Sequence, residues 1–162
     1  MKTNSEIYNI LFCGTGGQGV LKASEVAGVA AMLGGYEVKK SEVHGMSQRG
    51  GSVESHLRFG TCVHSPLIMP GQADFLVCFH DGEAKRLRSF LKKDGLDFSV
   101  YLPKLKELSD PRFTNTFFIG ILASKLNIKE QIWLDALKTV VTHRIEENRR
   151  VFEQGMQLGK NS

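Results

Sequence analysis

Cysteine is scarce in this chain, and its spacing excludes several kinds of site. Three cysteines occur among 162 residues, Cys13, Cys62 and Cys78, and no Cys-x-x-Cys pair is present. An iron–sulfur cluster or zinc site built from this chain alone is therefore not expected. Cys13 and Cys78 lie in apolar runs, which is more typical of buried, reduced thiols than of a disulfide framework.

Long apolar runs are also missing. The longest, residues 117–123, is far shorter than the roughly 20 residues that span a bilayer. Residues 1–6 show neither the apolar segment nor the cleavage site of a signal peptide, so we expect a cytoplasmic location.

The chain has no strong charge bias. The net charge is +4, and the basic residues are scattered without aromatic residues on which bases could stack, which argues against nucleic-acid binding. With 41% hydrophobic and 23% charged residues, the composition is that of a globular protein. The length suits one hydrophobic core, so we expect residues 1–162 to form a single domain.

Strands and helices are predicted to alternate along the first half of the chain. Residues 7–13 are almost continuously apolar, which predicts a central strand covered on both faces. From Val20 the apolar residues recur at three- and four-residue steps up to Gly34, which predicts a helix. Further strands are expected over residues 36–43, 53–59 and 73–79.

The strand over residues 53–59 alternates apolar and polar residues, which predicts an edge or antiparallel strand with one wet face bearing His56. Asp81 is a candidate N-cap for the next helix. Alternation over residues 96–102 predicts one more strand, followed by a short helix after Pro103.

Helices are expected over residues 116–126, 129–144 and 148–158, with Asn127 and Glu130 as a capping-box variant. This order of elements predicts a three-layer, Rossmann-like α/β fold with a mostly parallel sheet and a helical C-terminal part.

A glycine-rich turn joins the first strand to the first helix and is the first candidate site. Gly14, Gly16 and Gly19 fit Gly-x-Gly-x-x-Gly, a pattern whose backbone N–H groups and helix dipole suit a phosphate. We therefore take the whole turn as candidate cofactor-binding residues: Gly14, Thr15, Gly16, Gly17, Gln18 and Gly19. The alternative is that these glycines serve only the turn and the packing of the helix.

A dinucleotide site would place an acidic residue near the end of the second strand, to bind the ribose. Lys39 and Lys40 stand in that region instead. They argue against NAD and would permit a phosphorylated ribose.

The loop after the second strand is the second candidate site. It combines three glycines with polar side chains, of which we single out His44, Gln48, Arg49 and Gly50. Arg49 could contact a phosphate or carboxylate through two hydrogen bonds, and His44 could donate or accept one. The alternative is a loop that only connects strands or faces a partner.

The sequence offers no catalytic base, nucleophile or metal ligand with a recognisable spacing. His56 and His143 are expected at the surface, whereas His64 and His80 lie near strand ends and could approach a crevice.

The two candidate loops together resemble the gamma-type subunits of 2-oxoacid:ferredoxin oxidoreductases, the pyruvate/ketoisovalerate oxidoreductase gamma family. The first loop reads Gly-Thr-Gly-Gly-Gln-Gly-Val-Leu over residues 14–21, and the second reads Ser-Glu-Val-His-Gly-Met-Ser-Gln-Arg-Gly-Gly over residues 41–51. The second motif is more similar to the beta subunits of the indolepyruvate branch than to the pyruvate or 2-oxoglutarate branches.

Further matches at residues 65–68, 110–112 and 148–155 extend the resemblance over most of the chain. Between Gly95 and Asp110 the chain is shorter than the family by about a strand and a helix, which affects the far edge of the sheet.

This resemblance implies oxidative decarboxylation of a 2-oxoacid, such as indolepyruvate or another arylpyruvate, to an acyl-CoA with reduction of ferredoxin. It implies that larger partner subunits carry thiamine diphosphate and the iron–sulfur clusters, while this chain binds no cofactor firmly and is inactive when isolated. Its own role would be to complete the assembly, to cover the site or to hold part of coenzyme A.

The resemblance and the glycine motif lead to one hypothesis, which is that the two loops form a single polar crevice at the carboxyl ends of the strands. Two other functions stay open: a nicotinamide- or flavin-binding oxidoreductase, and a non-catalytic nucleotide-binding or scaffold module. Self-association of the isolated chain also stays open.

Overall fold

A five-stranded mixed sheet forms the centre of the molecule. The computed structural model describes residues 6–44 and 50–162, without the side chain of His44. The strands, numbered along the chain, are β1 Tyr8–Thr15, β2 Glu37–His44, β3 Ser52–Gly60, β4 Ala73–Cys78 and β5 Leu91–Asp97, in the spatial order β2-β3-β1-β4-β5. β1 pairs in parallel with β4 and β4 with β5, whereas β3 is antiparallel to both of its neighbours. The predicted α/β fold with a mostly parallel sheet is confirmed.

Within the described part of the chain, five α-helices and three 3₁₀ helices accompany the sheet. The α-helices are α1 Val20–Leu33, α2 Asp81–Leu87, α3 Thr114–Lys125, α4 Glu130–Val140 and α5 Ile145–Lys160, and the 3₁₀ helices are Arg88–Phe90, Phe98–Glu107 and Pro111–Phe113. Within residues 6–44 and 50–162, no helix is both long and apolar enough to cross a membrane.

The sheet separates two apolar layers of unequal size. Ile10 and Phe12 of β1 join the larger cluster, which also contains residues of α1, α3, α4 and α5. Leu11 and Cys13 point to the other face and join a smaller cluster with α2 and the segment before β4. All four side chains are fully buried, because a strand in the middle of a sandwich of helices has no wet face.

Helices α3 and α5 cross with their backbones almost in contact. A Cβ atom at Gly120 would overlap the Phe152 carbonyl oxygen, and one at Gly155 would overlap the Phe117 carbonyl oxygen. Only glycine permits this approach, so the two positions set the distance between the helices.

Three local predictions were wrong. Asp81 is the first residue of α2, and His80 is the N-cap. Residues 98–102 do not continue a strand: β5 ends at Asp97, and Phe98 and Tyr101 enter the core from a 3₁₀ helix. The capping box at Asn127 and Glu130 is also absent, since Lys129 is the N-cap of α4 and no side chain caps it.

The prediction of reduced cysteines was wrong for Cys13 and Cys78. The two residues are buried as expected, but a disulfide joins them. They face each other across the β1–β4 ladder with their Cα atoms 4.6 Å apart, a distance that a disulfide can bridge. Cys62 is free and exposed.

Candidate functional site

The two loops singled out in the sequence meet at one edge of the sheet. β1 ends at Thr15 and β3 begins opposite it at Ser52, so the glycine turn and the end of the β2–β3 loop are neighbours. The Gly16 backbone N–H donates to the Gly51 carbonyl oxygen over 3.0 Å. The carboxyl ends of β1 and β4 lie at this edge, where open α/β sheets bind ligands.

Two glycines are sterically required in the turn. A Cβ atom at Gly14 would lie 2.7 Å from the Gln18 side-chain oxygen and 2.8 Å from Val20 Cγ2. Gly19 has φ +81°, and a Cβ there would lie 2.7 Å from Asn115 Nδ2. The glycine pattern therefore has a structural cause at these two positions, whatever the turn binds.

Gln18 holds the turn against the end of β4. Its Oε1 accepts the Thr15 backbone N–H at 2.7 Å, and its Nε2 donates to the Phe79 carbonyl oxygen at 3.0 Å. Both ends of the amide are used inside the protein, so Gln18 acts as a positioning residue for the turn. Gln18 and its neighbours Gly17 and Gly19 line an open crevice.

The second loop is described only at its two ends. His44 is the last residue of β2 and pairs with Val53 of β3. Gly50, exposed and with φ +68°, has its backbone N–H beside Gly16. Gln48 and Arg49 lie outside the described residues, so their predicted binding role stays a prediction.

The crevice beside the glycine turn has a volume of about 340 Å³ and a wall that sequence analysis did not assign. The turn forms one side, and the other side is formed by Phe79, Leu105, Pro111, Arg112, Thr114 and Asn115. In the sequence, residues 110–112 of this wall belong to the family resemblance, which assigns them no role.

An ion-pair cluster fixes this wall to α5. Asp110 accepts hydrogen bonds from the Arg112 side chain at 2.7 Å and from its backbone N–H at 2.9 Å, and Arg144 reaches the same carboxylate at 3.0 Å. These donors hold the pKa of the Asp110 carboxyl well below its ordinary value. Arg144 also pairs with Glu147 and lies 4.7 Å over the Phe113 ring.

The first turn of α1 at this crevice carries no acidic side chain, whereas Asp110 caps the 3₁₀ helix Pro111–Phe113 that runs into α3. The first turns of α1 and α3 contain no Asp or Glu, whereas the first turns of α2, α4 and α5 each contain at least one. The N-terminus of α1 therefore gives this side of the crevice a positive potential, which favours an anionic group, while Arg112 in the opposite wall is paired with Asp110.

On the opposite face of the sheet, α2 is tied to β3 by a charged network that begins at Ser52, next to the loop. Ser52 donates to Glu83 at 2.8 Å, and Arg86 bridges Glu83 and Glu54. Partial burial would raise the pKa of Glu83, but the hydrogen bonds from Arg86 and Ser52 outweigh burial and lower that pKa.

His56 is buried in this network, so the prediction of a surface histidine was wrong. Its Nδ1 accepts the Ile68 backbone N–H at 3.1 Å, and its Nε2 lies 3.3 Å from Glu54. Because Nδ1 is an acceptor, neutral His56 carries its proton on Nε2. Of the other histidines, His80 caps α2 and His64 lies beside Cys62.

The family model for pyruvate ferredoxin/flavodoxin oxidoreductase matches residues 9–99, which include both loops. The chain belongs to the pyruvate ferredoxin/flavodoxin oxidoreductase family. It is 48% identical over 96 residues to the indolepyruvate oxidoreductase subunit IorB of Thermococcus kodakarensis. That match covers 59% of this chain and 48% of the relative, so the chain spans about half the length of the curated relative it matches.

Solved structures share the fold of this family member over nearly its whole length. The gamma subunit of a keto/oxoacid ferredoxin oxidoreductase from Geobacter sulfurreducens has a TM-score of 0.77 at 21% identity, covering 96% of this chain and 99% of the other. The 2-oxoglutarate:ferredoxin oxidoreductase from Magnetococcus marinus, solved with 2-oxoglutarate, coenzyme A and succinyl-CoA bound, has the same TM-score at 17% identity and covers 98% of this chain and 32% of that chain.

The strand order separates this family member from a dinucleotide-binding domain. In the dinucleotide fold, the second strand lies directly beside the first, which brings its ribose-binding residue to the glycine turn. Here β3 lies between β1 and β2, so the strand that carries Lys39 and Lys40 is about 10 Å from β1, two strand spacings away. The geometry therefore does not favour a nicotinamide dinucleotide.

The metal donors do not form a set for an iron–sulfur cluster. Cys13 and Cys78 are bonded to each other, and Cys62 is exposed beside His64. In the part of the chain that the structure describes, no three His, Cys, Asp or Glu side chains converge in a way that could hold a metal ion. The described residues therefore do not fit a cluster.

Proposed function

We propose that this chain is a subunit of a 2-oxoacid:ferredoxin oxidoreductase and that its crevice holds the anionic part of coenzyme A. The family match over residues 9–99 carries the first part of this proposal. The reaction would be oxidative decarboxylation of a 2-oxoacid, and the similarity to indolepyruvate oxidoreductase subunits favours indolepyruvate or another arylpyruvate as substrate. Larger subunits would hold thiamine diphosphate and the iron–sulfur clusters, and the isolated chain would be inactive.

The crevice supports the coenzyme A part of the proposal through its size and charge. A volume of about 340 Å³ is at the lower end of the range for small-molecule sites, so it suits a portion of a long ligand rather than all of it. The N-terminus of α1 favours phosphate groups, Arg112 adds a guanidinium that is paired with Asp110, and Phe79 and Leu105 supply an apolar wall. The similar Magnetococcus marinus structure contains bound coenzyme A. In this chain, Gly14–Gly19, His44, Gln48, Arg49 and Gly50 would complete the site.

The test uses the complex reconstituted with its larger subunits, with reduction of ferredoxin as the readout. Arg112→Gln should raise the apparent KM for coenzyme A about tenfold and leave the KM for the 2-oxoacid unchanged, because one phosphate contact is lost. Arg88→Gln is the matched control, since Arg88 is an exposed arginine paired with Asp97 outside the crevice. Arg49→Ala should behave like Arg112→Gln.

Two results would contradict the proposal in different ways. An unchanged KM for coenzyme A in both crevice variants would reject the coenzyme A site. Mass spectrometry of the natively purified chain that finds no larger subunit carrying thiamine diphosphate would reject the subunit role.

A further inference from the structure

The side chain of Asn115, at the start of α3, lies in the crevice wall next to the glycine turn. Asn115 is the second residue of α3, is half-buried and lines the crevice. A Cβ atom at Gly19 would come within 2.7 Å of Asn115 Nδ2 and 3.1 Å of its Cγ, so the carboxamide is in contact with this glycine. Asn115 is therefore the side chain at which the start of α3 meets the start of α1.

One end of this carboxamide is used within the protein and the other is not. Oδ1 accepts the Thr116 backbone N–H at 2.9 Å, which fixes Nδ2 as the remaining, donating end. Nδ2 makes no hydrogen bond to any of the residues that the structure describes. Gln18 differs in this respect, because each end of its amide bonds to the protein backbone. Since Asn115 and Gly19 both line the crevice, the Asn115 N–H₂ group is available to an acceptor there.

A buried hydrogen-bond network holds the start of α3 in place. Thr116 Oγ1 donates to Asn148 Oδ1 at 2.6 Å, and both residues are buried. Asn148 Nδ2 in turn donates to the backbone carbonyl oxygens of His143 at 3.2 Å and Arg144 at 3.0 Å. The Asn148 amide therefore joins the residue that follows Asn115 to the turn that precedes α5.

The turn before α5 also holds the other end of the wall segment. Arg144 has φ +54°, alone among the described non-glycine residues, and such a backbone conformation persists only where the surroundings maintain it. Its guanidinium donates to Asp110 at 3.0 Å and lies over the Phe113 ring. The segment from Asp110 to Thr116 is thus attached at one end through Arg144 and at the other through Asn148.

We infer that Asn115 is a ligand-binding residue of the crevice and that Asn148 is its positioning residue. The inference rests on the proposed function, which supplies coenzyme A as the ligand. Asn115 Nδ2 donates to an anionic oxygen of the coenzyme A portion in the crevice, beside the main-chain groups of Gly17 and Gly19. Asn148 acts through Thr116 and fixes the donor before the ligand arrives, so less conformational freedom is lost on binding.

Asn115→Asp tests the contact, because it should change stability and binding in opposite directions. The acidic side chain keeps an acceptor for the Thr116 N–H and suits the N-terminal turn of α3, so the thermal midpoint should stay the same or rise. It also replaces the donor with a negative charge. The apparent KM for coenzyme A in the reconstituted complex should therefore rise more than about tenfold, with the KM for the 2-oxoacid unchanged.

Two further variants complete this comparison. Asn115→Ala removes the donor without adding a charge, and it should raise the KM for coenzyme A about fivefold. Gln131→Glu is the matched control, because Gln131 is the second residue of α4, is exposed and lies outside the crevice. Its KM for coenzyme A should equal that of the wild type.

The positioning role is tested at Thr116. Thr116→Val keeps the shape of the side chain and loses the hydrogen bond to Asn148, so it should raise the KM for coenzyme A about threefold; Thr116→Ser keeps the hydroxyl and should have the wild-type KM. Ser55→Ala is the control for loss of a buried hydrogen bond, since Ser55 Oγ lies 2.6 Å from Ser24 Oγ and outside the crevice. It should lower the thermal midpoint without changing this KM.

Hydrogen exchange provides a readout that does not depend on activity. Backbone amides of residues 110–116 should exchange faster in Thr116→Val than in wild type, because the segment has lost one of its two attachments. In Ser55→Ala these amides should exchange at the wild-type rate.

The outcomes separate this inference from the proposed function. If Arg112→Gln raises the KM for coenzyme A and both Asn115 variants keep the wild-type value, the ligand is bound without Asn115 and the inference is overturned. If Thr116→Val and Thr116→Ser have the same KM, the positioning role of Asn148 is rejected. If Arg112→Gln, Arg49→Ala and the Asn115 variants all keep the wild-type KM, the proposed coenzyme A site itself is rejected.

Discussion

Gln18 shows how a residue within a binding motif can serve the fold. Its side-chain amide joins the Thr15 backbone N–H to the Phe79 carbonyl, so one residue connects the end of β1 to the end of β4. From the sequence alone, a polar residue in a glycine turn predicts a ligand contact. The structure shows that each end of this amide already makes a hydrogen bond within the protein.

Replacing Gln18 should therefore affect stability. Gln18→Ala leaves a part-buried N–H and a part-buried C=O without their partner, which should cost about 1–3 kcal/mol in the free energy of unfolding. Gln131→Ala is the control, because Gln131 is exposed and bonds only across one turn of α4, so its change should stay within about 0.5 kcal/mol. Urea denaturation measures the free energy of unfolding of both variants. Equal changes in the two variants would contradict the role of Gln18 in connecting β1 to β4.

Residue types also explain two sequence predictions that failed. Polar residues alternate with apolar ones along β3, which predicts a wet face, yet His56 on that face is buried because Glu54 and Ile68 satisfy its ring nitrogens. Cys13 and Cys78 are far apart in sequence, and only the pairing register of β1 and β4 brings them together. Neither partnership is visible in periodicity, because both depend on contacts between distant segments.

At the scale of elements, α3 and α5 are the most closely packed pair, and glycine decides their distance. Gly155→Ala should destabilise the protein by about 1–3 kcal/mol, because the added methyl group would overlap the Phe117 carbonyl oxygen and force the helices apart. Thermal melting measures this change.

Gly28→Ala provides the matched control within another helix. A Cβ atom there would lie 3.5 Å from Leu57 Cδ1, which is ordinary contact, so the higher helix propensity of alanine should leave stability unchanged or improve it by up to about 1 kcal/mol. If both variants lost the same stability, the helix crossing would not depend on Gly155.

Most element types could be predicted from the sequence, while their neighbours in space could not. The apolar run of β1 and the helical spacing of α1 predict the bounds of both elements to within a few residues, because each pattern depends only on neighbouring residues. The position of β3 between β1 and β2 is a property of strand pairing, so the sequence left edge and antiparallel placements open. For the same reason, the sequence did not predict that residues 111–115 form a wall of the crevice, because only the folded chain brings them next to the glycine turn.

At the scale of the whole molecule, Asp110 connects the crevice wall to the last helix. The hydrogen bonds from Arg112 and Arg144 lower the pKa of its carboxyl in the folded state, so ionised Asp110 stabilises the fold above its unfolded-state pKa. This contribution should disappear as the pH falls below about 4 toward the lowered folded-state pKa.

Asp110→Asn should therefore be less stable than wild type at pH 7, and the difference should shrink progressively as the pH falls below about 4. Urea midpoints measured across this pH range test the prediction. Asp94→Asn serves as a control, because Asp94 is an exposed carboxylate outside the cluster. If the urea midpoints of wild type and Asp110→Asn differed by the same amount at all pH values, the predicted pH dependence would be contradicted.

The occupied amide of Gln18 has a consequence for which part of a ligand the turn could distinguish. With the Gln18 amide bonded to Thr15 and Phe79, Gly17 and Gly19 offer the crevice main-chain groups. Main-chain groups respond to charge and shape and are insensitive to the chemical identity of a substrate side chain. Under the proposed function, such a turn would suit the portion of a ligand that all members of the family share, and discrimination among 2-oxoacids would depend on other surfaces.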